Sequence, residues 1–223
     1  MPRQMIIPAL FGAIGVIILV LLGNWQIDRL GWKNAMLSDI EARLSAPPVP
    51  LPDVLIPEQD RFLSVQATGE MDSKEIHVLS SSPATGPGFR IIVPFTLADG
   101  RRILVDRGIV PDHQKDATRP LENGTLFGNL LWADDVDKYT PENDIDGNIW
   151  FSRAVPPLAA ALGTEEIFLV LRQTTLSSGP TPIAVGLNIP NSHLEYAVTW
   201  YGFAIVWAFM SLYLLWRIKR RTI

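Results

Sequence analysis

The chain has three histidines and no cysteine, which leaves few side chains able to bind a metal or act as a nucleophile. Among them His193 stands out by position. It lies in NSHLEYAVTW, just before a stretch from Tyr196 to Trp216 that carries no charge. An ionisable residue at the edge of an apolar run is a candidate functional group, and imidazole is a common axial ligand to haem iron. If a helix begins near Leu194 or slightly earlier, Ala197, Trp200, Ala204, Trp207, Ala208 and Ser211 share the face of His193. Small residues beside two tryptophans would let a flat, apolar macrocycle lie against that helix. They would equally let a second helix pack closely, and a histidine there also suits a purely interfacial role. The residues themselves leave both readings open.

The remaining chemistry is sparse. His77, in KEIHVLS, reads as a half-buried strand residue, and His113, after Pro111-Asp112, as a solvated loop residue. ADDVDKYTPENDID is acidic but lacks the ligand pattern of a calcium-binding helix-loop-helix, so it reads as a solvated loop. No nucleophile elbow, zinc-protease helix or phosphate-binding loop is present, and an enzyme finds little support. The lack of cysteine excludes a disulfide framework, thiolate metal sites, c-type haem attachment and a cysteine nucleophile.

The elements that must position His193 are two apolar stretches. No charge occurs from Gln4 to Ile27 or from Tyr196 to Trp216, and about 20 apolar residues suffice to cross a bilayer. Transmembrane helices are expected over 1–23 and 193–216, the second flanked by Tyr196, Trp200, Tyr201, Tyr213 and Trp216 as interfacial aromatics. The first could be a cleaved signal, but no A-x-A-like site follows it and an uncleaved anchor is expected. The tail over 217–223 holds Arg217, Lys219, Arg220 and Arg221, which places both termini in the cytoplasm. The segment from Gly23 to Tyr196 then faces outward; it holds all 23 acidic residues and 14 of the 19 basic ones, a net charge of −9. Such a domain is not expected to bind nucleic acid or anionic lipid heads, and a bacterial inner membrane with a periplasmic domain is the simplest address. Only seven residues follow Trp216, which argues against a sensor with an output domain.

Within the outer segment, 24–58 is expected to hold an amphipathic juxtamembrane helix and a proline-rich linker. Trp32, Met36, Ile40 and Leu44 form the apolar stripe, and APPVPLPDVLIP is the extended spacer. Residues 59–192 are expected to form a β-rich periplasmic domain. Phe89, Ile91, Val93, Phe95 and Leu97 alternate strictly, Asp99-Gly100 signals a turn, and RRILVDRGIV returns, so 88–110 reads as a hairpin with an edge or bulge at Pro94. Further strands are expected at RFLSVQATG, KEIHVLS, TLFGNLLWA, NIWFSR, IFLVLRQ and PIAVGL, with a short helix VPPLAAALG ending at Gly163. The expected fold is two transmembrane α-helices flanking an antiparallel β-rich, α+β extracytoplasmic domain, a small sheet or barrel.

Several of these stretches together resemble the Surf-one (surfeit locus protein) family of assembly factors for haem-copper cytochrome c oxidase. They are GNWQIDRLGWKN, GFRIIVPFTLADGRRILVDRGIVP, KYTPENDIDGNIWFSR and PNSHLEYAVTWYGFA, in order from Gly23 to about Ala204. Asp106 stands where that pattern has Asn, Ile109 where it has Trp, and Ser192 where it has a second Asn. The resemblance implies a membrane chaperone that binds haem a and assists its insertion into oxidase subunit I, with haem a synthase as a further partner beside membrane lipid. It implies His193 as the iron ligand, Ala197, Trp200 and Ala204 as ring contacts, and Asn191 and Tyr196 as shaping the site. Arg107 and Gly108 match the outer-domain pattern, as a partner contact or as a structural pair in the hairpin. The competing reading is a scaffold that holds immature subunit I without touching haem.

Overall fold

In the computed structural model, the described residues are 3–82, 86–133, 135–174, 179–186 and 190–222. The apolar N-terminal stretch and the segment after it form one helix, α1 (Arg3–Ser45), of 43 residues. No proline follows Pro8 until Pro47, so nothing breaks the helix at residue 23, and the anchor and the juxtamembrane helix are continuous. It stops before Pro47-Pro48, where the backbone of the preceding residue is driven out of the helical region. The elements that follow are β1 (Val49–Pro50), α2 (Pro57–Asp60), β2 (Ser64–Met71), β3 (Ile76–Ser82), β4 (Gly86–Leu97) and β5 (Arg102–Pro111). A 3₁₀ turn at Asp112–Gln114 leads on to β6 (Gly124–Leu130), β7 (Ile149–Trp150), α3 (Val155–Leu162), β8 (Phe168–Leu171) and α4 (His193–Thr222). The chain divides into two units, Met1–Asp39 with Asn188–Ile223, and Ile40–Leu187. The division falls inside α1, between Asp39 and Ile40. Gln4–Ser45 and His193–Arg220 are both long and apolar enough to cross a membrane.

The second unit is a closed barrel of β2, β6, β8, β5 and β4, sealed by pairing of Gly69–Met71 with Phe95–Leu97. The 88–110 hairpin is present as β4 against β5. The register shift lies between Arg90 and Ile92, not at Pro94. Pro94 sits where the outer neighbour of β4 changes from β3, which ends opposite Ile92, to β2, which begins opposite Phe95. Its missing N–H therefore falls where no ladder partner waits. The barrel is not wholly antiparallel, because β8 runs parallel to β5. The proline-rich spacer is extended but not free: Val49 and Pro50 pair in parallel with Val65 and Gln66. PIAVGL forms no strand over its described residues, and only Thr181 bridges Ile109. Pro180 and Pro182 lack the N–H groups that a longer ladder would use.

Alternation along the strands sorts the core into two. Phe89, Ile91, Val93, Phe95, Leu97, Ile103 and Val105 belong to one cluster with Val65, Leu126 and Leu169, which fills the barrel. Leu104, Phe168 and Val170 point the other way and pack beneath Val155, Leu158, Ala159 and Leu162 of α3. That helix starts with Pro156-Pro157 in its first turn, where N–H groups have no partner, and ends at Gly163, whose left-handed φ of 67° closes the C-terminus.

The apolar stripe expected on the second half of α1 is corrected. Ile40 is buried and Leu44 half-buried, but Trp32 and Met36 are 56% and 40% exposed. A spacing of four advances 400° around a helix, so the stripe drifts about 40° at each step. The face that is covered runs instead through Gln26, Leu30, Lys33, Leu37 and Ile40.

Candidate functional site

In the helical unit α1 and α4 run antiparallel, with contacts that pair rising numbers on one with falling numbers on the other. A Cβ on Gly12 would lie 2.7 Å from Ser211, one on Gly15 would lie 2.2 Å from the Trp207 indole, and one on Gly23 would lie 2.6 Å from the Tyr201 ring. Tyr201 donates its hydroxyl proton to Asn24 Oδ1 at 2.7 Å, and Trp207 Nε1 donates to the carbonyl of Gly12 at 3.2 Å. Glycines on α1 thus make room for Ser211, Trp207 and Tyr201 of α4 to lie against its backbone.

The helix α4 opens at His193, and the carbonyl of Ser192 accepts the first helical hydrogen bond, from the Tyr196 N–H at 3.2 Å. His193 Nδ1 lies 2.8 Å from Oε1 of Gln26. Gln26 is 8% exposed, so its amide is spent inside the protein. With Gln26 Oε1 as acceptor, Nδ1 carries the proton and Nε2 keeps its lone pair. Nε2 has no hydrogen-bond partner among the described residues. Two turns further along α1, Asn34 Oδ1 accepts from Asn191 Nδ2 at 2.9 Å, and the side-chain Oδ1 of Asn191 is buried with no partner among the described residues.

The other expected residues divide. Ala197 and Ala204 are 1% and 5% exposed, so the face below His193 is covered. Trp200 is half-buried, with its ring edge-on to Phe203 at 6.2 Å, and its Nε1 is a buried donor with no acceptor among the described residues. Tyr196 is 55% exposed. The structure sets Gln26 of α1 against His193, Asn34 against Asn191 and Asn24 against Tyr201, while Trp200 lies two turns along α4 from His193. Those three amides were legible only as polar residues in GNWQIDRLGWKN, directly after an apolar run, where a side-chain amide needs a partner.

In the barrel unit Arg107 is buried at 2% exposure, donates through Nη2 to the carbonyl of Pro120 at 2.6 Å, and has no partner for Nη1 among the described residues. Burial pulls its guanidinium below the usual range, while the carboxylates of Glu75 and Glu122 oppose that shift. Gly108 has φ +110°, and a Cβ there would meet the Thr181 carbonyl oxygen at 2.0 Å. The adjoining Asp106 is fully buried; it accepts from Gly108 N–H at 2.9 Å and pairs with Arg90 at 2.5 Å. Ile109 is buried too and exchanges backbone hydrogen bonds with Thr181. These residues build the wall. His77 is buried rather than half-buried, and it bonds to Glu75, which also pairs with Arg119. His113 is exposed. In the acidic loop, Asp137 accepts from Tyr139 N–H at 2.8 Å and from the Thr140 hydroxyl, and both hold its carboxyl below the ordinary carboxylate value. No group of acids or histidines suited to a metal ion occurs among the described residues.

Residues 13–205 match the family model described as SURF1 family. The chain belongs to the SURF1 family. A SURF1-like protein of Rickettsia bellii (strain RML369-C) is 30% identical over 221 residues, covering 93% of this chain and 88% of that protein. Surfeit locus protein 1 of Homo sapiens is 30% identical over 214 residues, covering 85% of this chain and 71% of that protein. The SURF1 match takes in Gln26, the barrel and His193 together.

Proposed function

We propose that this SURF1-family chain is a non-catalytic assembly factor for haem-copper cytochrome c oxidase that holds haem a for insertion into subunit I. The observation that carries the reading is the His193–Gln26 hydrogen bond. A ligating imidazole characteristically gives its second ring N–H to an acceptor, which fixes tautomer and ring plane. His193 has that arrangement, with Nε2 left to face iron. The buried Trp200 Nε1 is a donor without an acceptor among the described residues, a place that a polar edge of the macrocycle would fit. Haem a supplies the redox-active iron that the oxidase needs, and no reaction on this chain is invoked.

The chain's own residues divide the work. His193 would hold the iron, Gln26 orients the imidazole, and Trp200 and Tyr196 would border the ring, while Asn191 ties the start of α4 to Asn34. Ala197 and Ala204 are buried and would pack the helix pair rather than contact a bound ring. A single histidine is exchangeable, which suits handing the cofactor on to subunit I or receiving it from haem a synthase. Both termini lie in the cytoplasm of a bacterial cell and the barrel in the periplasm, as the basic tail directs.

Full-length protein purified from cells that make haem a should carry a haem spectrum. His193→Ala should lose it, and Gln26→Leu should lower occupancy by roughly 10–100-fold. A His193→Ala protein with full occupancy would sink the assignment. A scaffold role without haem draws on the burial of Ala197 and Ala204. It would be favoured by a deletion strain with fewer assembled oxidases but normal haem content in each.

A further inference from the structure

We propose that the far end of the helix pair, away from His193, is a binding site for one anionic glycerophospholipid. The site has two parts. Pro8 and Phe11 of α1 with Trp207, Met210, Tyr213 and Leu214 of α4 line a groove of about 320 Å³. Its walls are apolar, Ser211 is its one small polar neighbour, and its floor is set by the Phe11 and Trp207 rings at 5.4 Å. Such a channel takes a hydrocarbon chain and offers little to a polar ligand.

The mouth of the groove supplies the other half. Arg217 follows Tyr213 by four residues and Leu214 by three, so it stands one turn beyond them on the same face. Arg220, three residues on, shares that face and lies over the Trp216 ring at 4.1 Å, while Lys219 leaves the helix on the opposite side. No ion pair involves Arg217, Lys219 or Arg220 among the described residues. The unit's acidic side chains are Asp28, Asp39 and Glu195, none within the last 28 residues of the chain. Positive charges without protein counter-ions beside an apolar groove complement a lipid whose phosphate is not balanced by a headgroup amine. A neutral zwitterionic lipid would fill the groove equally well but gain little at the mouth. A partner's apolar helix would leave the charges unanswered. The site stands on the membrane-spanning reading of the two helices and is independent of haem.

The test is native mass spectrometry of the full-length protein in detergent micelles with equimolar phosphatidylglycerol and phosphatidylcholine of the same acyl chains. The wild type should retain one phosphatidylglycerol in preference. Arg217→Gln with Arg220→Gln should weaken that binding roughly 25-fold, about fivefold per charge, and abolish the preference. Met210→Trp should block retention of either lipid with the charges intact, and far-UV circular dichroism should show unchanged helicity in both variants. Equal retention of the two lipids by the wild type would overturn the proposal. So would wild-type retention by either variant, or a lipid-free dimer in which a second copy fills the groove.

Discussion

The Trp207 indole occupies the space that a side chain on Gly15 would need: a Cβ there would stand 2.2 Å from Nε1. The same nitrogen donates to the Gly12 carbonyl at 3.2 Å. One tryptophan thus fills the gap left by a glycine and also bonds the backbone beside it.

Gly15→Leu should therefore separate the helices. Thermal unfolding in detergent should show a loss of roughly 1–3 kcal/mol, as overpacking does elsewhere. Trp207→Ala in the same chain should recover part of the loss, because it removes the clashing ring. No recovery would mean that the two residues do not share the contact.

Gln26→Leu removes the partner of His193 Nδ1. A buried polar group left unpaired costs about 1–3 kcal/mol, so the apo protein should melt earlier. Gln26→Glu keeps an oxygen acceptor at that place and should recover most of the loss. Identical melting of Gln26→Leu and wild type would remove Gln26 from the site.

Asp106 is buried between Arg90 and the Gly108 N–H. Asp106→Ala strands Arg90 and should cost roughly 3–5 kcal/mol. Asp106→Asn should cost less, because an amide oxygen still accepts from Gly108 and stays near Arg90. Gly108→Ala forces a side chain into a φ of +110° and against the Thr181 carbonyl, and should cost roughly 3 kcal/mol or more. Chemical denaturation of the three variants would rank them, and a worse Asn than Ala would contradict the geometry.

Acid stability gives a fourth check. The Arg101 backbone N–H and then its guanidinium hold the Asp99 carboxyl below its ordinary value, as Tyr139 N–H and Thr140 do for Asp137. The folded pKa is depressed, so the contribution of each is present above the unfolded carboxylate value, about 3.9. It is lost as pH falls through the lower folded value. The thermal midpoint of wild type should fall as pH drops below about 4, and Asp99→Asn with Asp137→Asn should flatten that limb. An unchanged slope would show that neither group is linked to folding.

The hairpin from Gly88 to Val110 was plain in the sequence because its pattern is local: strict alternation, a turn at Asp99-Gly100, and alternation again. The short helix before Gly163 was equally plain. Barrel closure was not, since Gly69–Met71 meet Phe95–Leu97 and Leu104 meets Phe168 without any local mark of those partnerships. At the site the histidine was legible from its place before an uncharged run. Gln26 was not, because its partner lies 167 residues away. Ala197 and Ala204 suited a flat ligand or a neighbouring helix equally well, and they are buried.

β8 bonds to β5 on one side and to β6 on the other. Until residues 168–171 have been synthesised, those two neighbours remain open edges, so the ribosome must release about three quarters of the chain before a barrel can exist. Non-local parallel pairing is slow to form, and bare edges invite pairing with other chains. During synthesis the nascent barrel is therefore at its most vulnerable when the N-terminal helix is already made and the second apolar helix is not.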